Sequence, residues 1–400
     1  MLTPYLPFPP ASGGQIRTLN LLRYLSRKND ITLISLYKNT KEKAYSSHLE
    51  SFCNKIYLCK RPENPWQLNN VLKSVFSLLP FLIVRNYSIE AKKTIEKLLK
   101  EEQFDIIHAE TFYIMPHIPE TKIPVLLVEQ TIEYQVYQHF VQSFPWFIRP
   151  LFLSDIWKLK YWEKYYWKKA NLVATVSEAD RKIISKDEPS LNSVIVPNGA
   201  GDEMFIHRLR PKKRSEPVVL FVGNFTWLQN TEAADYLIKN IYPELKKKIK
   251  NVRVIIAGQS VKRKIKNLEN SSIELIDIPP DDSDLVRSLY ANATLFIAPI
   301  FGPGGTRLKI LAAMASGLPV VSTPTGIQGL NLHNNKHVLL AENAREFIEK
   351  ISKVLSDDTL YEKLRSNAFQ QAHSLYSWSA ISKKLESVYK DIIKSHANSN

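Results

Sequence analysis

Four hundred residues exceed what one hydrophobic core usually supports, and an apolar fraction of 44% supplies ample core, so two domains of ordinary size are expected. The 54 basic and 39 acidic residues leave a formal charge of +15, which predicts attraction to anionic partners without choosing among nucleic acid, lipid headgroups and phosphorylated substrates. No RNA-binding aromatic signature, zinc spacing or basic heptad region occurs, and lysines such as Lys246, Lys247 and Lys248 lie along a predicted helix, which argues against a nucleic-acid partner.

The N-terminal residues Met1 to Pro7 lack a charged segment followed by an apolar stretch, so they do not read as a signal peptide. No run reaches transmembrane length; the longest candidate, Phe76 to Val84, is broken by Pro80. Cys53 and Cys59 match neither a metal pair nor a redox motif, which reads as two reduced thiols and a cytoplasmic protein.

Short β-branched runs alternate with longer helical patterns along the chain, the sign of parallel sheets with crossover helices. The first series is Ile31–Leu36, Lys55–Leu58, Asp105–Ala109, Val125–Glu129, Leu172–Val176 and Val194–Val196. The second is Val218–Gly223, Val252–Gly258, Ile273–Ile278, Leu295–Pro299, Val320–Thr323 and Val338–Leu340. Between them the polar, basic stretch His207 to Pro217 is the predicted linker, and a final helix is predicted from Ser377 to Ile393.

Two glycine-bearing turns stand out. Pro9-Pro10-Ala11-Ser12-Gly13-Gly14 leads into a helix with Leu19, Leu22 and Leu25 at core spacing, where glycines would let backbone N–H groups approach a ligand. Gly304-Gly305-Thr306-Arg307-Leu308-Lys309 opens an alanine-rich run that Gly317-Leu318-Pro319 stops before a β-branched stretch, so it reads as loop, helix, turn and strand. A helix N-terminus holds phosphate with its free N–H groups, and Lys309 adds a full charge. Helical spacing puts Gly305, Lys309 and Ala312 on one face, with the helix taken to start at the glycines.

The run Gly304 to Thr323 resembles glycosyltransferase family 4, as do Pro4-Tyr5-Leu6-Pro7 with Gly13-Gly14, Val176-Ser177-Glu178 with Pro197-Asn198-Gly199, and Phe221-Val222-Gly223-Asn224. The resemblance implies an α/β fold of the GT-B type, two doubly wound Rossmann-like domains facing across a cleft. The domains are placed at 1–206 and 207–376, with a tail helix at 377–396 crossing back to the first.

It also implies a retaining glycosyltransferase of hexosyltransferase type that moves a sugar from a nucleotide diphosphate sugar to a saccharide or lipid-linked acceptor in cell-surface polysaccharide synthesis, without metal or other cofactor. Arg307 and Lys309 would neutralise the departing diphosphate, and His108 or Glu110 would contact the sugar. Gly13, Gly14, Gly223, Asn224, Gly304, Gly305, Thr306 and Ala312 would line the donor. Glu133 matches a family glutamate, whereas Gln130 and Thr131 depart from the pattern beside it.

Two departures matter more. The family's two glutamates in this segment, of which the second binds ribose, are here Gly304 and Ala312, which raises the alternative of a catalytically impaired homologue that binds nucleotide or a partner enzyme. Met1-Leu2-Thr3 is also short for the strand that relatives place there: either the strand is truncated or the chain starts upstream. A nucleotide-sugar epimerase shares the architecture but fits the matched segments less well, and a nicotinamide dehydrogenase lacks its GxGxxG.

Trp157 to Lys169 reads as an aromatic and basic helix after an apolar stretch from Phe144 to Phe152. It suits peripheral contact with an anionic membrane face as well as it suits packing on its own domain.

Overall fold

The computed structural model describes residues 1–64, 66–206, 216–265, 273–302 and 306–397. The chain divides into two compact units, Met1–Pro197 with Ser382–Asn400, and Asn198–Ile381. The division falls at Pro197 rather than at 206. Residues from Asn198 onward are held by the second unit, where Ala200 N–H donates to the Tyr376 carbonyl (2.7 Å) and Met204 O accepts from the Ser316 hydroxyl (3.2 Å). The predicted linker 207–217 lies mostly outside the described residues.

The first unit is built on β1 (Leu2–Thr3), β2 (Thr32–Tyr37), β3 (Lys55–Lys60), β4 (Ile107–Glu110), β5 (Val125–Glu129), β6 (Leu172–Thr175) and β7 (Ser193–Ile195). All pair in parallel, in the order β3-β2-β1-β4-β5-β6-β7. Central strands such as β5, Val-Leu-Leu-Val-Glu, are buried along their whole length, as a sheet covered by helices on both faces requires. The edge strand β3 carries exposed lysines at both ends, which discourages further strand pairing. Short as it is, β1 pairs with both β2 and β4 at the centre of the sheet.

The second unit holds β8 (Val218–Val222), β9 (Arg253–Gly258), β10 (Ile273–Asp277), β11 (Leu295–Ala298), β12 (Val320–Ser322) and β13 (Leu339–Leu340), again parallel, in the order β10-β9-β8-β11-β12-β13. Each sheet reverses its winding once, between β1 and β4 and between β8 and β11. Open α/β sheets bind ligands beyond the carboxyl ends of strands at such a reversal.

The tail helix, Trp378–Ala397, starts in the second unit and ends in the first. The fully buried Trp378 explains Gly199: a Cβ there would sit 2.7 Å from the indole ring. Cys53 and Cys59 are free, buried thiols whose pKa values burial pushes up to about 11.

Gly258, at the end of β9, adopts φ +146°, and a Cβ there would collide with the Gly223 carbonyl at the end of β8. Gly258→Ala should therefore destabilise the chain by about 2–3 kcal/mol in urea denaturation. A loss under about 1 kcal/mol would mean that the two strand ends separate freely.

Candidate functional site

The second unit's winding reverses between β8 and β11, so the segments that leave these strands, Gly223–Trp227 and Pro299–Arg307, start side by side. The β8 segment is pinned to the end of β9: Gly223 N–H donates to the Ala257 carbonyl (3.0 Å), and the Asn224 amide donates to Gln259 Oε1 (2.7 Å). Asn224 also accepts from the Thr226 N–H and hydroxyl, which fixes the turn. This turn feeds the helix Leu228–Tyr236, whose Asn230 donates back to the Asn224 carbonyl (2.7 Å).

The β11 segment runs into the helix Leu308–Ala315, with Arg307 at its N-cap. The helix thus starts three residues after Gly305. Gly304 and Gly305 lie outside the described residues, and the line predicted through Gly305, Lys309 and Ala312 is reduced to Lys309 and Ala312. Thr306 and Arg307 are both buried, and the Arg307 guanidinium donates to the Gly302 carbonyl (2.7 Å). Arg307 therefore shapes the loop it belongs to as well as charging it.

Lys309, in the first helical turn, reaches across to the β8 side. Its ammonium donates to Asn230 Oδ1 and stands 5.0 Å from the Phe221 ring centroid. Burial, helped by the like charge of Arg307, pulls its pKa down to about 7. A cation at a helix N-terminus also opposes the helix dipole. Two basic side chains and a helix N-terminus thus share one place, an arrangement that an anion would relieve.

Ala312 lies one turn along the same face, half-buried, with its methyl packed on the core. Gly223 is shaped by the same cluster: a Cβ there would come within 3.0 Å of Asn230 and 3.2 Å of the Lys309 ammonium. Sequence reading found Gly223, Asn224, Arg307 and Lys309 but missed Asn230, Gln259 and Gly258. Of these, only Gly258, a glycine closing a β-branched run, carried a readable signal.

The first unit fills the corresponding place at β1 and β4 with its own side chains. His108 and Glu110, expected to contact the transferred sugar, are instead buried in a polar network. Glu110 Oε1 lies 3.0 Å from His108 Nε2 and 3.6 Å from Arg17 Nε, and Oε2 accepts from the Gln130 amide (2.6 Å). His108 Nδ1 meets the Tyr389 hydroxyl of the tail helix. Arg17 donates to the Val196 and Pro197 carbonyls (3.2 and 3.0 Å).

Burial holds His108 below the usual histidine range. Burial also opposes the charge on Glu110, but the His108 bond and Arg17 overcome it and hold that carboxyl below its usual range. A neutral imidazole donating from Nε2 to Glu110 and accepting at Nδ1 from Tyr389 satisfies both partners. Both carboxylate oxygens and both ring nitrogens are thus engaged, and both side chains are buried.

Gly14 belongs to the same cluster. A Cβ there would strike the Tyr5 hydroxyl, and Gln130 donates to that hydroxyl (3.0 Å), so packing alone demands this glycine. Gly13 is exposed at the start of the helix Gly13–Leu25, whose Ser12 cap accepts from the Gln15 N–H. Glu133, first in the helix Glu133–Gln142, is half-buried, and burial raises its pKa to about 7. Thr111, directly after β4, has φ +78°, a strained conformation for a β-branched residue.

Comparison with known proteins gives this geometry its family. Residues 11–203 match the model described as Glycosyltransferase Family 4, and residues 216–357 the model described as Glycosyl transferases group 1. A 44.6 kDa protein "in cps region" of Klebsiella pneumoniae is 23% identical, over 96% of this chain and 97% of that one. The structure of sucrose-phosphate synthase from Thermosynechococcus elongatus superposes with a TM-score of 0.71 at 14% identity, covering 98% of each chain. That of Anabaena HepE in complex with UDP-glucose gives 0.67, also at 14% identity and with 98% of each chain covered. With two parallel, doubly wound units and both halves matched, the chain belongs to the group 1, family 4 glycosyltransferases and has their GT-B fold.

Proposed function

We propose that the protein transfers a sugar from a nucleotide diphosphate sugar to a hydroxyl of a saccharide or lipid-linked acceptor, with retention at the anomeric carbon. The observation that carries this reading is Lys309, held at a helix N-terminus beside Arg307 at the winding reversal of the second sheet. The site wants an anion, and a diphosphate supplies more charge than a carboxylate. The complex of HepE with UDP-glucose supports a nucleotide donor, and the relative in a cps region supports a role in cell-surface polysaccharide synthesis.

In the reaction the bond from the anomeric carbon to the leaving phosphate oxygen breaks and the acceptor oxygen bonds to the same face. The acceptor proton passes to the leaving phosphate. Lys309 stabilises the charge that grows on the diphosphate, while Arg307 holds the loop and adds to the positive potential. Asn230 positions the ammonium, and Thr306, Gly223 and Asn224 form the walls. No metal is needed in this scheme, since the cations and the helix N-terminus take its electrostatic role. A lipid-linked acceptor would bring the first unit to a membrane surface, for which Trp157 to Lys169 is the candidate contact.

A second reading rests on Ala312. A glutamate there would accept two ribose hydroxyls, and alanine removes both bonds, which describes a chain that binds nucleotide or a partner enzyme without turnover.

Turnover with a panel of nucleotide sugars should be measurable in the unaltered chain and fall about 10²–10³-fold in Lys309→Met, with its thermal midpoint little changed. Full activity of Lys309→Met would remove the lysine from the mechanism. Ala312→Glu should tighten UDP binding by about tenfold or more, the worth of charge-assisted hydrogen bonds to ribose. Turnover seen only in Ala312→Glu would establish the second reading.

A further inference from the structure

The helix Leu68–Phe76 is inside out. Its buried residues are Asn70 and Ser74, while Leu68, Leu72, Val75 and Phe76 face outward, the last 83% exposed. Amphipathic helices of globular proteins do the reverse, because apolar surface gains by leaving water.

The polar side of this helix is committed to a second one. Ser74 donates its hydroxyl to Asp155 (3.0 Å) and accepts the Lys158 ammonium at its carbonyl (2.7 Å), both from the helix Pro150–Lys169. Just beyond the first helix, the Leu78 carbonyl accepts the Trp162 indole N–H (2.8 Å). These bonds fix the orientation, so the apolar face is held outward by design of the contact rather than left over.

The second helix adds Leu153, Trp157 and Tyr161, spaced four apart and exposed, with the Trp157 and Tyr161 rings stacked at 6.3 Å. Trp146 and Phe147, in the turn before it, are also exposed. Most of the exposed large hydrophobic side chains among the described residues fall in these segments, 66–78 and 146–165. Scattered exposed leucines need no explanation, but a concentration on two bonded helices marks a contact surface.

Charge selects the partner. Residues 66–78 contain no carboxylate, and residues 144–169 contain only Asp155, turned to Ser74 and the Phe81 N–H, and Glu163, which is fully buried and bonded to the Glu133 and Tyr134 N–H groups. Lys73 and Lys169 are exposed, and Arg149 flanks the aromatic turn. Asp187 and Glu188, at the end of the neighbouring helix, are taken up by Lys160, Lys164 and Lys168. A surface of tryptophan, tyrosine and leucine with a basic rim, and no outward acid on its own two helices, therefore fits the interface of an anionic lipid bilayer, where indole rings settle at headgroup depth.

We infer that the helices Leu68–Phe76 and Pro150–Lys169, with Trp146 and Phe147, form a docking face for anionic membranes. The inference draws on the proposed transfer only for its purpose, delivery of the chain to lipid-linked acceptors; the binding itself stands on the surface.

Flotation of the full chain with phosphatidylcholine vesicles, with and without phosphatidylglycerol, tests it. The chain should float with the anionic vesicles and dissociate as ionic strength rises. Phe76→Ser combined with Trp157→Ser should weaken vesicle binding by at least about tenfold, since each removes a large buried area. Lys73→Gln combined with Lys169→Gln should weaken it by about fivefold for each charge and flatten the salt dependence. All four side chains are exposed, so thermal midpoints should stay with the parent.

UDP titration of each variant separates the two ideas. Absent flotation with intact UDP binding overturns the membrane face alone, and intact flotation without UDP binding overturns the reading of the second unit alone. A concentration-dependent dimer, abolished by Phe76→Ser with Trp157→Ser in a chain that does not float, would assign the surface to a second copy and overturn the inference.

Discussion

A lysine held at the wrong end of a helix governs the second unit. The ammonium of Lys309 is half-buried, set in the first turn of Leu308–Ala315 where the helix dipole already points positive, and flanked by Arg307 of like charge. Among the described residues a neutral amide, Asn230, and the face of Phe221 attend it. The elements around it hold it there: Gly223, directly after β8, leaves room for the ammonium, and Gly258 lets the end of β9 approach Gly223. The Asn224 turn sets Asn230. Free, the site favours loss of the lysine proton; an anionic diphosphate would reverse that preference.

The two units share a topology and use it oppositely. At the winding reversal of the first sheet, Arg17, Glu110, His108, Gln130 and Tyr5 satisfy one another and reach Tyr389 of the tail helix. A buried charge is tolerable only when paired and hydrogen-bonded, and here each charge is. At the same location in the second unit, Lys309 stands beside the like charge of Arg307 and burial lowers its pKa. That contrast is why the proposed donor site is put at the second reversal. The surface of the first unit, in turn, carries its unsatisfied term in apolar area rather than in charge.

Both series of strands were legible because strands buried on both faces read as nearly continuous apolar runs, as in β5 and β9. Arg307 and Lys309 were legible because a loop, a stop signal and a charge lie together in sequence. The partners of Lys309 were not: Asn230 is 79 residues away and stands in an unremarkable helix. His108 and Glu110 were legible as polar residues ending a strand, but their burial was not, because their partners Arg17 and Tyr389 are distant in sequence. The aromatic and basic helix Pro150–Lys169 was visible from its tryptophans and lysines. Its companion, Leu68–Phe76, looks in sequence like any amphipathic helix, and nothing local says which face turns inward.

Burial and Arg307 hold the pKa of Lys309 down to about 7, and proton uptake on nucleotide binding reads the proposed contact directly. Titrating UDP into the protein by calorimetry at about pH 8.5, in buffers of different ionisation enthalpy, should show uptake of about one proton per nucleotide, because Lys309 passes from a pKa of about 7 to one above the ambient pH. The uptake should fade by about pH 6, where the ammonium is already charged, and vanish in Lys309→Met. Binding of UDP at the higher pH with no proton uptake, and with unchanged affinity in Lys309→Met, would contradict the account.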